Sequence, residues 1–119
     1  MGRSGLIVSA LSLGTMQFGE AMNAGRLGQA ETNEMVKFAL DRGINLIDTA
    51  DVYSCGESET LLGNAIKGVR SEIVVATKAR LPMSDTNFNH SGATRVNLMR
   101  EVEASLNSTL SILDQERSL

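Results

Sequence analysis

The sequence has few aromatic residues and almost no proline. Its 119 residues include three Phe, one Tyr, no Trp and one Pro. A hydrophobic core therefore has to be built mainly from Leu, Ile, Val, Met and Ala. Cys55 is the only cysteine, which excludes an internal disulfide. We interpret it as a small loop residue rather than a reactive thiol.

Long apolar runs and clusters of basic residues are also absent. No run approaches the roughly 20 apolar residues of a membrane-spanning helix, and residues 6–14 are too short and too interrupted by Ser to indicate a signal peptide. The formal net charge is −3 and Lys and Arg are scattered, whereas a nucleic-acid interface requires clustered basic residues. We therefore expect a cytoplasmic protein that neither inserts into membranes nor binds nucleic acid.

Strand and helix patterns alternate along the chain. Short apolar runs predict three strands, and apolar residues near helical spacing predict a helix after each strand. Gly43 follows the first helix, where a left-handed residue is common, and Thr94 is placed to cap the third. Gly19, Gly25 and Gly28 mark the loop after the first strand. The predicted strands cover residues 11–15, 44–47 and 73–77, and the predicted helices cover 30–42, 58–67 and 94 to about 113.

This order of elements favours a parallel sheet with helical crossovers. Two architectures remain open, a doubly wound sheet and part of a (β/α)₈ barrel. A doubly wound sheet that binds a dinucleotide usually carries G-x-G-x-x-G after its first strand, but residues 14–19 read GTMQFG. We therefore favour a partial barrel of about three βα units. A whole barrel takes roughly 250 residues, so we expect residues 1–119 to be the N-terminal part of one incomplete barrel domain.

Three polar residues lie where such a barrel would carry its catalytic groups, at the carboxyl ends of the strands. Asp48 closes the second strand, Tyr53 lies in the following loop, and Lys78 follows the third strand. A free tyrosine has a pKa of about 10, and a nearby ammonium lowers it. Held by Asp48, Lys78 would make Tyr53 a better general acid toward a carbonyl oxygen.

Such a reaction requires a nicotinamide cofactor, because no side chain donates hydride. Each residue also has a plainer interpretation when it is taken alone. Asp48 would cap a turn, Tyr53 would be half-buried packing, and Lys78 would be a solvated charge. Their occurrence together, each in a similar position after a strand, favours the catalytic interpretation.

Residues 2–110 resemble the aldo-keto reductase family. The loop 82–92 and the GESE turn are most similar to the branch that includes channel β-subunit-like reductases. The resemblance is specific because several motifs occur in the right order and spacing. The matching stretches are GRSGL and VSALSLGTM followed by FG within residues 2–19, GINLIDTADVY at 43–53, GESE at 56–59, LG at 62–63, VVATK at 74–78 and REVEASL at 100–106.

The resemblance implies a (β/α)₈ barrel that binds NADPH without a Rossmann fold and reduces aldehydes or ketones to alcohols. Tyr53 matches the family's proton donor and Lys78 the residue that lowers the pKa of that donor. Asp48 matches the partner of the lysine and a contact to the nicotinamide ribose. Thr15 and Met16 match positions near the nicotinamide. The sequence leaves open which carbonyl compound is the substrate and whether NADH replaces NADPH.

Part of the family's pattern is missing from this sequence. The fourth catalytic position, a His or an Asn after the fourth strand, is not present, and the likeness fades over residues 111–119. His90 precedes the third helix, and we interpret it as a surface residue.

Because three βα units cannot close a barrel, we expect the chain alone to lack reductase activity. Unpaired strand edges favour self-association. Two alternatives remain, a cofactor-binding regulatory subunit and a non-catalytic fragment that pairs with another partial barrel.

Overall fold

The structure is a computed structural model that describes residues 1–20, 27–84 and 86–110. The predicted order of three strands and three helices is confirmed. Two short 3₁₀ helices, Tyr53–Gly56 and Arg70–Glu72, were not predicted. Gly25 and any helix beyond residue 110 lie outside the described residues. The elements are β1 Ser12–Gly14, α1 Gln29–Leu40, β2 Leu46–Asp48, α2 Glu57–Ala65, β3 Val74–Ala76 and α3 Arg95–Leu110.

The three strands form a parallel sheet in the order β1-β2-β3. The predicted parallel arrangement is therefore confirmed. Because successive side chains of a strand point to opposite faces, the middle row of the sheet faces the helices while the rows on either side of it face away. The three rows in register are Ser12, Leu46 and Val74, then Leu13, Ile47 and Val75, then Gly14, Asp48 and Ala76.

The hydrophobic core lies between the middle row of the sheet and the first two helices. Ile47 and Leu62 are completely buried, and such side chains contribute roughly 1.5–3 kcal/mol each by leaving water. Gly43 follows α1 in a left-handed conformation as expected, with a φ of 76°. The buried cluster consists of Phe18, Val36, Ile47, Leu62, Ile66 and Ile73.

Helix α3 buries a polar face and exposes its apolar face. Gly63 of α2 allows the two helices to approach closely, because a Cβ at this position would collide with the backbone at Ser108 and Thr109. Thr94 caps α3 as predicted, accepting a hydrogen bond from the Asn97 N–H at 3.2 Å. The buried polar residues are Asn97, Glu101, Ser105 and Thr109, and the exposed apolar residues include Val96, Met99, Val102 and Leu106. None of the helices in the described parts of the chain is long and apolar enough to cross a membrane.

Candidate active site

The structure brings Asp48, Tyr53 and Lys78 together at the carboxyl ends of β2 and β3. The Lys78 Nζ donates to Asp48 Oδ2 at 2.7 Å and to the Tyr53 hydroxyl oxygen at 3.2 Å. A third bond, of 2.8 Å, joins the same ammonium to the carbonyl oxygen of Thr49. All three donor positions of the ammonium are therefore occupied, so its place at the rim is defined.

Backbone hydrogen bonds beyond the strands hold the two segments that carry these side chains. The Thr49 N–H donates to Ala76 O at 2.8 Å, and the Asp51 N–H donates to Lys78 O at 3.2 Å. These bonds continue the parallel pairing past the ends of β2 and β3. Asp48 and Lys78 consequently face the same side of the sheet, away from the hydrophobic core.

The backbone after Tyr53 adopts an uncommon conformation. Ser54 and Cys55 have φ values of 49° and 55°, and Gly56 has 89°. Left-handed conformations cost on the order of 1–2 kcal/mol for residues with a side chain. The Ser54 hydroxyl is buried and donates to Phe18 O at 3.0 Å, which anchors this turn to the loop after β1. Sequence reasoning missed the turn, since only Gly56 signals a positive φ there.

The hydrogen bonds of Lys78 determine its electrostatics. Partial burial lowers the pKa of Lys78, but the hydrogen bonds to Asp48 and Tyr53 raise it more, so the pKa lies above its ordinary value of 10.5. The side chains of Lys78 and Asp48 remain 49% and 42% exposed. The ammonium is therefore charged at neutral pH and accessible from solution.

A cavity of about 280 Å³ adjoins the phenol and the ammonium. A larger one, of about 630 Å³, lies where residues 43–45 and Ile73 lead into β2 and β3. It is thus at the opposite ends of the strands from Lys78. Of these two cavities, the smaller one is lined by Tyr53 and Lys78, so a reacting molecule would occupy that one. Its lining consists of Ala50, Asp51, Val52, Tyr53, Lys78, Arg80 and Leu81.

The two residues predicted to lie near a nicotinamide follow β1 at the same end of the sheet. The Thr15 N–H donates to Asp48 O at 3.0 Å, but the Thr15 side chain is completely buried. Its hydroxyl oxygen lies 2.9 Å from the Ser58 hydroxyl oxygen. The side chain of Met16 is about half exposed. Thr15 is therefore next to the trio through its backbone, and Met16 is open to solvent.

A buried acidic residue lies between Asp48 and Tyr53, and sequence reasoning did not single it out. Asp51 is 3% exposed. Burial raises the pKa of Asp51, the Val52 N–H opposes this effect, and Glu101 and Glu59 reinforce it. The Asp51 carboxyl consequently favours its neutral form more than an exposed carboxyl does.

The only histidine and the acidic groups give no metal site in the described parts of the chain. No three His, Cys, Asp or Glu side chains there form a group that could hold a metal ion. His90 is partly buried in the loop before α3, where its carbonyl oxygen accepts from the Met83 N–H at 3.0 Å. Cys55 is an exposed free thiol.

Comparison with known proteins identifies the family of this chain. The model of the aldo/keto reductase family matches residues 10–110. The chain belongs to this family. The aldo-keto reductase YhdN of Bacillus subtilis is 40% identical over 106 residues, which are 87% of this chain and 31% of that protein. A protein of Schizosaccharomyces pombe named as a candidate voltage-gated potassium channel subunit beta is 42% identical over 89% of this chain and 31% of its own length.

Solved aldo-keto reductases share the fold. One from Bacillus halodurans, in its holo form, has a TM-score of 0.73 and 30% identity over 91% of this chain and 34% of that chain. One from Klebsiella pneumoniae in complex with NADPH has a TM-score of 0.65 and 29% identity, with coverage of 86% and 31%. The predicted fold class, a partial (β/α)₈ barrel, is therefore confirmed. The chain spans about a third of the length of the relatives that it matches.

Proposed function

We propose that this chain carries the proton-donating part of an NADPH-dependent reductase site, in which Tyr53 protonates the carbonyl oxygen of an aldehyde or ketone. The observation that carries the proposal is the position of the Lys78 Nζ, 2.7 Å from Asp48 Oδ2 and 3.2 Å from the Tyr53 hydroxyl oxygen. A phenol held beside an ammonium in this way is placed to act as a general acid.

The ammonium assists the loss of the phenolic proton. As the proton leaves Tyr53 for the carbonyl oxygen, negative charge develops on the phenol oxygen, and a fixed positive charge at 3.2 Å stabilises it. Asp48 holds that charge in place throughout. A nicotinamide held beside Asp48 would supply the hydride that the carbonyl carbon needs. The product is an alcohol, and Tyr53 regains a proton from solvent.

The proposed place of the cofactor ring is the face of the sheet beside Asp48. Gly14 and Ala76 flank Asp48 in the register of the sheet. A Cβ at Gly14 would have no atom within 4 Å, so the face of the sheet beside the carboxylate is open. We assign Asp48 and Met16, which are exposed, to the nicotinamide end of NADPH, and Thr15, which is buried, to holding the backbone beside Asp48. The relative from Klebsiella pneumoniae, solved with NADPH, supports this choice of cofactor.

The test replaces the matching third of the Bacillus subtilis relative with residues 1–110 of this chain and follows NADPH consumption with a simple aldehyde. Tyr53→Phe should lower turnover by at least about 100-fold, the usual contribution of a general acid, while NADPH binding is retained. Phe88→Leu, at an almost completely exposed loop residue, is the matched control. Turnover in Tyr53→Phe equal to that of the control would refute the proposal. The unfused chain is expected to show no turnover.

A second candidate function is cofactor-dependent regulation of a partner protein. It is favoured by the 42% identity to the Schizosaccharomyces pombe protein named as a candidate channel subunit. This function is supported over the first if the chimera with an unchanged Tyr53 binds NADPH tightly but shows no turnover. Rapid aldehyde reduction would exclude it as the main activity.

A further inference from the structure

The first turn of α2 holds the loops that follow β1 and β3. Glu57 Oε2 accepts the Glu20 N–H at 3.0 Å. The next residue, Ser58, donates its hydroxyl to Thr15 O at 2.8 Å. These two contacts fix the loop after β1. The third consecutive residue, Glu59, contacts the end of β3 instead.

The contact of Glu59 is with the residue that precedes Lys78. The Thr77 hydroxyl donates to Glu59 Oε1 at 2.6 Å, and Glu59 is 2% exposed. A buried carboxylate requires hydrogen-bond donors because it has lost its water, and a bond to a charged acceptor is stronger than a neutral one. Water cannot readily replace the hydroxyl at such a buried oxygen. The bond is therefore a firm link between α2 and the end of β3.

Alternation along the extended chain connects this link to the rim. Val75 belongs to the middle row of the sheet, which packs on the helices, so Thr77, two residues later, points to the same side. Lys78 points to the other side, toward Asp48. An anchor on Thr77 consequently sets the direction of the next Cα–Cβ bond. The other tether of the Lys78 backbone is the Asp51 N–H, which reaches Lys78 O at 3.2 Å.

We propose that Glu59 is a positioning residue that sets the place of the Lys78 ammonium through its hydrogen bond with Thr77. Glu59 does not line the cavity beside the phenol. Its hydrogen-bonded connection to Lys78 passes through the Thr77 hydroxyl and one backbone unit. The catalytic meaning of this placement rests on the proposed function, but the placement itself can be measured without turnover.

The test follows the Lys78 side chain by NMR in the full chain. Its ¹³Cε signal reports the titration midpoint, and its ammonium signal reports hydrogen exchange with water. Thr77→Val removes the hydroxyl and should move the midpoint down toward 10.5, the ordinary value, with faster ammonium exchange. Thr77→Ser keeps a hydroxyl and should restore both signals. Thr60→Val is the matched control, because Thr60 lies beside Glu59 with an exposed hydroxyl bonded to Gly56 O.

A second variant covers the possibility that Thr77→Val does not fold. The double variant Glu59→Met/Thr77→Val replaces both partners by apolar side chains of similar shape, which leaves no buried oxygen unpaired. It should fold and should displace the Lys78 signals as far as Thr77→Val does. If the midpoint and exchange rate in the folded variants equal those of Thr60→Val, the proposal is overturned. It is also overturned if neither variant folds, because the link would then be purely structural.

Turnover in the chimera separates this inference from the proposed function. If Thr77→Val displaces the Lys78 signals but no chimera has reductase activity, the reductase function is refuted. Glu59 then remains a positioning residue. A fall in turnover with unchanged Lys78 signals would refute the positioning role alone. Where both hold, Thr77→Val should lower kcat more than it raises the KM for NADPH.

Discussion

Lys78 and Asp48 form an ion pair between the ends of two neighbouring strands, with the Lys78 Nζ 2.7 Å from Asp48 Oδ2. Both side chains remain substantially exposed, and exposed ion pairs contribute about 0–1 kcal/mol to stability. The pair therefore does little to hold the fold together. Its consequence is local, because it fixes a positive charge beside the only tyrosine in the sequence.

The first prediction concerns removal of the carboxylate from this pair. Asp48→Asn should lower the pKa of Lys78 toward its ordinary value, because the strongest hydrogen bond to the ammonium loses its charge. The free energy of unfolding should change by less than about 1 kcal/mol, whereas turnover of the chimera should fall at least about 10-fold. The ¹³Cε titration of Lys78, urea denaturation and NADPH consumption measure the three effects.

The chain contains a matched control for this prediction. Lys37 and Asp41 form an exposed pair on α1 with Nζ and Oδ2 2.6 Å apart, away from the rim. Asp41→Asn should change stability by a similar small amount and leave turnover unaltered. Equal loss of turnover in Asp41→Asn and Asp48→Asn would contradict the assignment of Lys78 to the site, since general loss of charge would then explain both.

The second prediction concerns the dependence of stability on pH at Asp51. Burial raises the pKa of this carboxyl in the folded state, so the folded protein binds its proton more tightly than the unfolded chain does. The stabilisation is complete below the unfolded value of 3.8 and is lost as the pH rises through the higher folded value. Asp51→Asn, which stays neutral, should therefore be more stable than the wild type at pH 7 and should lack this loss.

Thermal denaturation across this pH range measures the effect. Asp41→Asn again provides the comparison, because it removes one carboxylate at an exposed position and should keep the wild-type profile. A wild-type profile in Asp51→Asn would show that Asp51 ionises normally despite being 3% exposed. In that case water reaches the carboxyl, and its burial does not determine its charge.

The local sequence predicted most of the sheet and the identity of the trio. A near-continuous apolar run such as Ile73 to Thr77 is typical of a strand in a parallel sheet, and the residue that follows such a run lies at the end of the strand. Because β2 and β3 are parallel neighbours, Lys78 then lies at the same rim as Asp48. The contact of Glu59 with Thr77 could not be predicted from the sequence, because it depends on which way α2 turns as it packs on the sheet.

Helix α3 shows what a periodic pattern leaves undecided. Apolar residues at 99, 102 and 106 occur at helical spacing, as do polar residues at 97, 101 and 105. Periodicity identifies two faces without saying which of them contacts the preceding helix. The close approach at Gly63 decides the matter by bringing the small and polar face inward. Only a three-dimensional arrangement of α2 and α3 contains that information.

The third prediction tests this close approach. In an exposed helix, Gly→Ala stabilises by about 1 kcal/mol. At Gly63 the added methyl group would meet the backbone of Ser108, and overpacking of this kind costs about 1–3 kcal/mol. Gly63→Ala should therefore lower the free energy of unfolding, measured by urea denaturation. A more stable variant would show that α2 and α3 lie farther apart than the structure has them.

The fourth prediction is that the chain associates with itself through the exposed face of α3. Val96, Met99, Val102 and Leu106 are each at least 45% exposed along this helix, and adjacent exposed apolar side chains favour association. Among the described residues, β1 and β3 are the outer strands of the sheet, so each leaves an edge that a second copy can pair with. Light scattering after size-exclusion chromatography should give a mass above 12.7 kDa that rises with concentration.

Charge on the apolar face distinguishes this association from nonspecific aggregation. Met99→Glu combined with Val102→Glu should return the chain to a monomer, because two carboxylates cannot be buried without partners. Phe88→Glu changes a residue that is 96% exposed in the preceding loop and should leave the larger mass intact. If Phe88→Glu dissociates the assembly as well, net charge rather than the α3 face controls association. A wild-type chain that stays monomeric at every concentration would mean that this face is satisfied in solution without a second copy.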